Sequence, residues 1–507
     1  MATGEAREPP GARPATAAAV FVALCAAVRL IAPMKATFTI DEAFSWTISH
    51  LPPAGILKAA AAENHPPLFY LILHYFSALP LAPAGLRLLN VIIQAAALPF
   101  IYAVCRRAAG ARAAAAAAAF FILAPFAVFL SWELRYPSLA MLAASMIFYF
   151  FSREDMKAHS RTAAIALSAV LLAYSFYVGI LCLFGMTCYV FAEALSDRAK
   201  RRDALLWAAA MSVSLALFLP WTARLAGQAG RQLYFVGWRN IAEHLSKVPV
   251  GGIIRIFWDF SGAIFLPDRF YIRHIWFAAW CALAAAGLIR LRGVRVVRLW
   301  FVSACVTILL AWAMMISFGM FFFPKYFFMF APGFYLLAAA GLELLFGNQR
   351  RWAAAAAAGV IAAVSLAFCL NAIDLKPDNA SVIESLNNST TARDAVVLNP
   401  PYLSTLFNVF YRGDAPLVPV PRKYDPLKPY VLMSRVTPGG LDALKSRLKK
   451  SETIYVFYGL GVFTRVDPDA KMRKMLDSDF TLVSEESFYN QFSPGDKSGL
   501  LLVYKNK

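Results

Sequence analysis

The chain has 507 residues, 60% hydrophobic and only 16% charged, with a mean hydropathy of +0.57 and a formal net charge of +19. A soluble globular chain is nearer a quarter charged, so these figures exclude a protein folded around one aqueous core and point to a chain dissolved mainly in lipid. The cationic excess reads first as membrane topology. Nucleic acid is excluded as a partner, because no basic module interleaved with aromatics is in view.

In chain order, MATGEAREPPGARPATAAAV leads into FVALCAAVRLIAP. No clear cleavage site followed by soluble sequence is present, so this start reads as a retained signal anchor with its N-terminus in the cytoplasm. Next comes FTIDEAFSWTISH, which sets Asp41 and Glu42 at the lip of the first span. Apolar runs long enough to cross, roughly 17–25 residues, lie near 17–34, 87–105, 113–131, 134–151, 162–178, 179–196, 204–222, 272–290, 299–321, 326–347 and 352–372. Alternate links are strongly basic: Arg106, Arg107 and Arg112; Arg153, Lys157 and Arg161; Arg198, Lys200, Arg201 and Arg202; Arg290, Arg292, Arg295 and Arg298; Arg350 and Arg351. Placing all of them in the cytoplasm gives one consistent path of about eleven spans.

HPPLFYLILHYFSALPLAP is too short and too interrupted to cross, and a crossing there would invert every later basic link. It reads as an interfacial helix, and DEAFSWTISHL as another. Residues 35–86 are therefore an outer loop with two short helices, and residues 223–271 a second long outer loop. Residues 1–373 form the transmembrane domain. From 374 to 507 the composition turns soluble: AVVLNP, YVLMSRV, TIYVFYG and GLLLVYK read as strands, YLSTLFNVFYR and LDALKSRLKK as helices. This is a small outer α/β domain. The seven cysteines lie in or beside apolar runs and read as small apolar fillers.

Several ionisable residues share the outer membrane level with Asp41 and Glu42. They are Arg29 late in the first span, His65, Arg87, then Glu133, Arg135 and Tyr136 in SWELRYPSL, and Lys325 and Tyr326 in FFFPKYFFMF. Such groups are costly at an apolar boundary and tend to mark function.

The ordered set IDEAFSW, NHPPLFYLIL, LRLLNVI, SWELRYPSLAM and PKYFFMFAPGFYLLAAAGL resembles the GT-C superfamily of glycosyltransferases, over roughly residues 15–350. The likeness is to the protein O-mannosyltransferase-like branch, which includes the lipid A aminoarabinose transferases. The family often has QEARPY where this chain has WELRYP, and RY where it has Lys325-Tyr326; the cation is retained in each. The resemblance implies transfer of a sugar from a polyprenyl-phosphate donor to a protein, glycan or lipid acceptor, with inversion, on the periplasmic side of a bacterial inner membrane.

On that reading the leaving phosphate needs cations, and Arg135, Lys325 and Arg87, with Tyr326 beside them, are the donor-phosphate candidates. The acceptor hydroxyl needs a base; Asp41 is the choice, and Glu42 either assists or holds the loop. His65, Glu133, Tyr136 and Arg29 support the site, with His65 orienting its helix rather than taking a proton. Arg231, Arg239 and Arg255 in the second outer loop would meet an anionic acceptor or lipid headgroups. Asp41 and Glu42 could hold a divalent ion, as in the oligosaccharyltransferase branch, but with cations at hand no cofactor or essential metal is expected. The chain is expected to be a monomer in the bilayer. A flippase for a lipid-linked sugar would need charges at mid-bilayer and paired halves; a non-catalytic polyprenyl-binding scaffold would have no use for Asp41.

Overall fold

The computed structural model describes residues 38–63, 65–229, 249–266, 270–318, 322–346, 379–421, 436–459, 470–489 and 497–507, with scattered positions near 23–30, 359–367, 423–427 and 467–469. The predicted spans at 17–34 and 352–372 lie largely outside these residues. So do strand YVLMSRV, Arg231 and Arg239.

The molecule is a polytopic α-helical membrane protein with a small C-terminal sheet. Among the described residues, six helical stretches are long and apolar enough to cross a bilayer: Pro83–Leu123, Tyr177–Ser196, Arg198–Arg224, Tyr271–Leu291, Arg295–Ser317 and Pro324–Phe346. The shorter apolar helix Pro137–Ser152 packs among them. The predicted span at 87–105 and the first part of that at 113–131 lie in the helical stretch Leu88–Leu123, broken at Gly110, whose φ of 87° is left-handed; the rest of the second is a separate helix, Pro125–Ser131. An L side chain rarely adopts that conformation, and the glycine lets the chain kink between its two basic neighbourhoods. Helices Phe270–Leu291 and Ala331–Phe346 approach so closely that a methyl group on Gly287 or Gly341 would run into the carbonyl of Leu337 or Leu283. Small residues at such crossings let helix backbones meet in lipid.

Between residues 38 and 82 the structure has three short helices, not the two expected: Ile40–Ser49, Pro53–Ala62 and Leu68–Phe76. Alanine-rich PAGILKAAAA carries little periodic signal, which is why the middle helix escapes a pattern reading. At ten residues or fewer each is about 15 Å long, half of a hydrocarbon core.

Two polar clusters lie at opposite ends of Pro137–Ser152. At its C-terminal end the basic links converge on acids. Arg107 pairs with Asp155 at 3.0 Å, and Arg161 with Asp203 at 2.7 Å. Arg295 reaches Glu154 and Glu193 at 2.7 Å and Asp203 at 2.8 Å. At the N-terminal end stand Glu133, Arg135 and Tyr136. A 16-residue helix separates the clusters by about 24 Å.

The C-terminal sheet has the order β2-β1-β3-β5-β4, from Leu417–Pro419 (β2), Ala395–Asn399 (β1), Thr453–Gly459 (β3), Lys497–Asn506 (β5) and Phe480–Tyr489 (β4). β1 pairs in parallel with β2 and β3, whereas β5 runs antiparallel to β3 and β4. AVVLNP, TIYVFYG and GLLLVYK are strands as predicted; YLSTLFNVFYR contains the helix Leu403–Phe410, and LDALKSRLKK holds most of the helix Pro438–Leu448, which starts three residues earlier. β4, in FTLVSEESFY, was not foreseen because its outer half alternates weakly.

Candidate functional site

The site begins at the start of helix Ile40–Ser49. Thr39 is its N-cap: the hydroxyl accepts from Glu42 N at 3.3 Å, and Glu42 Oε2 accepts from Thr39 N at 2.8 Å. This reciprocal capping box satisfies two otherwise orphaned donors. It also commits the Glu42 carboxylate to the helix end. Arg87 then donates to both oxygens of Glu42, at 2.7 and 2.9 Å, and Leu134 N adds a third bond at 3.1 Å. Both side chains are fully buried.

Asp41 points elsewhere. Successive helical residues are about 100° apart, so Asp41 leaves the buried face that Glu42 occupies and is 43% exposed. Its Oδ2 accepts from Lys325 Nζ at 2.9 Å, and its Oδ1 stands 3.8 Å from Arg135 Nη2. Lys325 Nζ donates equally well to Glu133 Oε1, at 2.7 Å. One ammonium thus bridges carboxylates from positions 41 and 133. The enclosed surroundings alone would raise the Asp41 carboxyl, but Lys325 and Arg135 outweigh them and hold it well below the usual range. The carboxylate also sits in the first turn of its helix, where the dipole favours negative charge.

Lys325 comes from the 3-10 turn Pro324–Phe330, whose Phe327, Phe328, Met329 and Phe330 are buried beneath it. The loop carrying Glu133 and Arg135 is pinned from below: the Asn90 amide donates to the carbonyls of Glu133 and, at 3.0 Å, Arg135. Two buried atoms of this loop, Glu133 Oε2 and Arg135 Nε, have no hydrogen-bond partner.

An aromatic wall adjoins the charges. His65 lies 5.2 Å from the Tyr136 ring, Tyr136 stacks on Phe176 at 4.5 Å, and Phe176 meets Tyr326 at 5.1 Å. Burial, with Arg135 second, pushes His65 down to about 3. His65 is therefore neutral at ordinary pH and adds no charge to the cluster.

No family model matches the chain, and no curated protein matches it. Solved structures do. The ArnT structure from Cupriavidus metallidurans bound to undecaprenyl phosphate superposes with a TM-score of 0.56 at 14% identity, covering 96% of this chain and 97% of that one. The Archaeoglobus fulgidus oligosaccharyltransferase complexed with Zn and sulfate gives 0.53 at 13% identity, over 97% and 73%. The same organism's AglB with an inhibitory peptide and a dolichol-phosphate gives 0.53 at 11%, over 97% and 74%. These neighbours are GT-C membrane proteins.

This chain has the GT-C fold.

Within that fold, Asp41, Glu133, Arg135 and Lys325 come together from three distant segments, with Tyr136, Tyr326 and His65 beside them. Glu42 and Arg87 do not face this cluster; they are paired with one another, against the expectation that Arg87 meets a donor phosphate, and of the two readings of Glu42 the pairing favours holding the loop over assisting the chemistry. Arg29 is also drawn away. Its guanidinium donates to Gln94 Oε1 at 2.8 Å, Ile122 O at 2.9 Å and Phe121 O at 3.1 Å. Pro125 has no N–H to offer, so these carbonyls at a GT-C helix end need an outside donor. Trp132 Nε1 bonds Arg29 O at 2.8 Å, which ties the clamp to the Glu133 loop. Arg255 pairs with Asp259 at 2.8 Å on helix Pro249–Phe260, outside the carboxylate cluster.

The sequence reading passed over Thr39, Asn90, Gln94, Tyr70 and Phe176. Thr39-Ile-Asp-Glu42 is a legible capping-box signature. Asn90 and Gln94, four apart inside an apolar run, are the intramembrane polar pair that signals a network. Tyr70, whose hydroxyl lies 3.4 Å from Arg135 Nη1, gave no such signal.

Proposed function

We propose that this GT-C chain is an inverting glycosyltransferase that moves a sugar from a polyprenyl-phosphate donor to an acceptor hydroxyl, on the periplasmic side of a bacterial inner membrane. The single observation behind this reading is the Lys325 ammonium, held at 2.9 Å from Asp41 and 2.7 Å from Glu133 with Arg135 alongside.

A donor phosphate entering this site competes with Asp41 for Lys325 and Arg135. Taking up that anion loosens the cations' hold and raises the basicity of Asp41. The acceptor oxygen then forms its bond to sugar C1, its proton passes to Asp41, and the C1–O bond to phosphate breaks with its electron pair on the phosphate. Asp41 becomes neutral as the phosphate gains charge, so Lys325 and Arg135 transfer their attraction from one to the other with no net charge left unpaired. Such preorganised charge costs no reorganisation at the moment of reaction. Glu133 keeps hold of Lys325 throughout. Glu42 and Arg87 act as scaffold.

A divalent ion does not fit between Asp41 and Glu42, because Lys325 already holds the first carboxylate at 2.9 Å and Arg87 the second at 2.7 Å. No step is therefore routed through a metal. The test is sugar release from a polyprenyl-phosphate-linked donor by purified protein in detergent, where a flippase has no compartments to work between. Transfer should persist in EDTA. Asp41→Asn should lower turnover by roughly 10²–10⁴; near-normal turnover in that variant removes the base assignment.

A further inference from the structure

The C-terminal domain reaches the Asp41 helix by direct contact. Helix Leu403–Phe410, which follows β1, packs against helix Ile40–Ser49. Its Leu403, Leu406, Phe407 and Val409 are buried in the same apolar core as Phe38, Ala43 and Ile48. The other face of the sheet has a core of its own, with Val397, Ile454, Val456 and Leu502. One side of the domain is thus committed to the membrane part.

The contact leads step by step to the carboxylate. Phe410 meets Phe38 edge to face, with centroids 5.2 Å apart and planes at 78°. Phe38 is 1% exposed and immediately precedes the N-cap Thr39. Residues at that position, with the one at the fourth helical place (here Ala43), fix how a chain enters its helix. Arg87 lies over the same Phe38 ring, its Cζ 5.3 Å from the centroid. Arg87 then grips Glu42, the neighbour of Asp41, with two charge-assisted bonds.

We infer that Phe410 is a positioning residue: the C-terminal domain sets the orientation of the Asp41 helix through Phe38, Arg87 and Glu42. The activity consequence rests on Asp41 being the base, as proposed above; the structural consequence does not. Misplacing a reacting group by about 1 Å can cost on the order of 100-fold in rate, so a softened anchor is expected to lower turnover roughly tenfold.

The experiment compares full-length Phe410→Leu with the parent in nanodiscs. Amide hydrogen exchange should quicken by about tenfold across helix Ile40–Ser49, while β1 and β3 keep their protection. Turnover should fall as stated, and Phe410→Tyr, which keeps the ring contact, should keep it near the parent value. The losses from Phe410→Leu and Glu42→Gln should be non-additive, as for residues in one chain of contacts. If Phe410→Leu loosens β1 and β3 as well, Phe38→Leu makes the same comparison from the membrane side. Exchange changes confined to helix Leu403–Phe410, or losses that simply multiply, overturn the proposal. The exchange readout stands even if the chain proves to act on another donor.

Discussion

Asp41 and Glu133 face Lys325 and Arg135, two negative charges against two positive. A carboxylate held this firmly is a poor base until something else engages the cations. That makes the pH dependence diagnostic. With Asp41 as the proposed base, activity needs it ionised and should be lost as pH falls through its pKa. In the free protein Lys325 and Arg135 keep that pKa well below the usual carboxylate range. With donor bound, the phosphate draws off part of their attraction and the pKa rises. The acid limb of kcat should therefore lie at higher pH than that of kcat/KM, since the first reports the complex and the second the free enzyme. Coincident limbs, or an inverted order, count against the exchange of partners. His65 should leave no inflection near its ordinary value, because burial and Arg135 have moved it to about 3.

At the scale of the element, the helix start Thr39-Ile-Asp-Glu42 divides two adjacent acids between two tasks. The sequence shows both carboxylates at the membrane lip and so marks the neighbourhood. It does not show that Glu42 turns inward to Arg87, because that depends on where a residue 45 positions later folds back. Arg87→Ala leaves the Glu42 carboxylate buried without its cation, which should destabilise the protein by about 3–5 kcal/mol. Thermal unfolding in detergent measures this. A change below about 1 kcal/mol, the usual value of an exposed pair, would mean the pair is not buried in solution. Spans were legible because hydropathy carries them. The helix Pro53–Ala62 and the clamp of Arg29 on Phe121 and Ile122 were not, since neither alanine runs nor long-range carbonyl contacts leave a periodic trace.

Across the whole molecule, four of the basic links chosen from the sequence as one-sided meet at one end, around Arg295, Glu154, Glu193 and Asp203, and the Asp41 cluster stands at the other; Arg350 and Arg351 lie outside the described residues. These links thus build an ionic knot that ties three helix connections together. Arg295→Gln should lower stability by ~1–3 kcal/mol, the worth of hydrogen bonds to charged groups, while kcat stays within about twofold of the parent, the independence expected of sites this far apart. Unfolding curves and transfer rates on the same preparation decide it. A large loss of kcat with stability intact would tie the two ends together in a way the contacts do not suggest. The attachment of the C-terminal domain was only half legible: YLSTLFNVF sets Leu403, Leu406, Phe407 and Phe410 on one face of a helix and leaves Asn408 exposed, which marks an amphipathic helix with one face to bury, but not what buries it.

The most direct test of the central claim is the affinity of the Asp41→Asn variant for undecaprenyl phosphate, measured beside the parent by titration in nanodiscs. If Lys325 is shared between Asp41 and the donor phosphate, removing the competing carboxylate should tighten binding by about tenfold, equivalent to ~1.4 kcal/mol. Weaker binding would contradict the account, because it would mean that Asp41 holds the cations in place for the phosphate and does not compete with it.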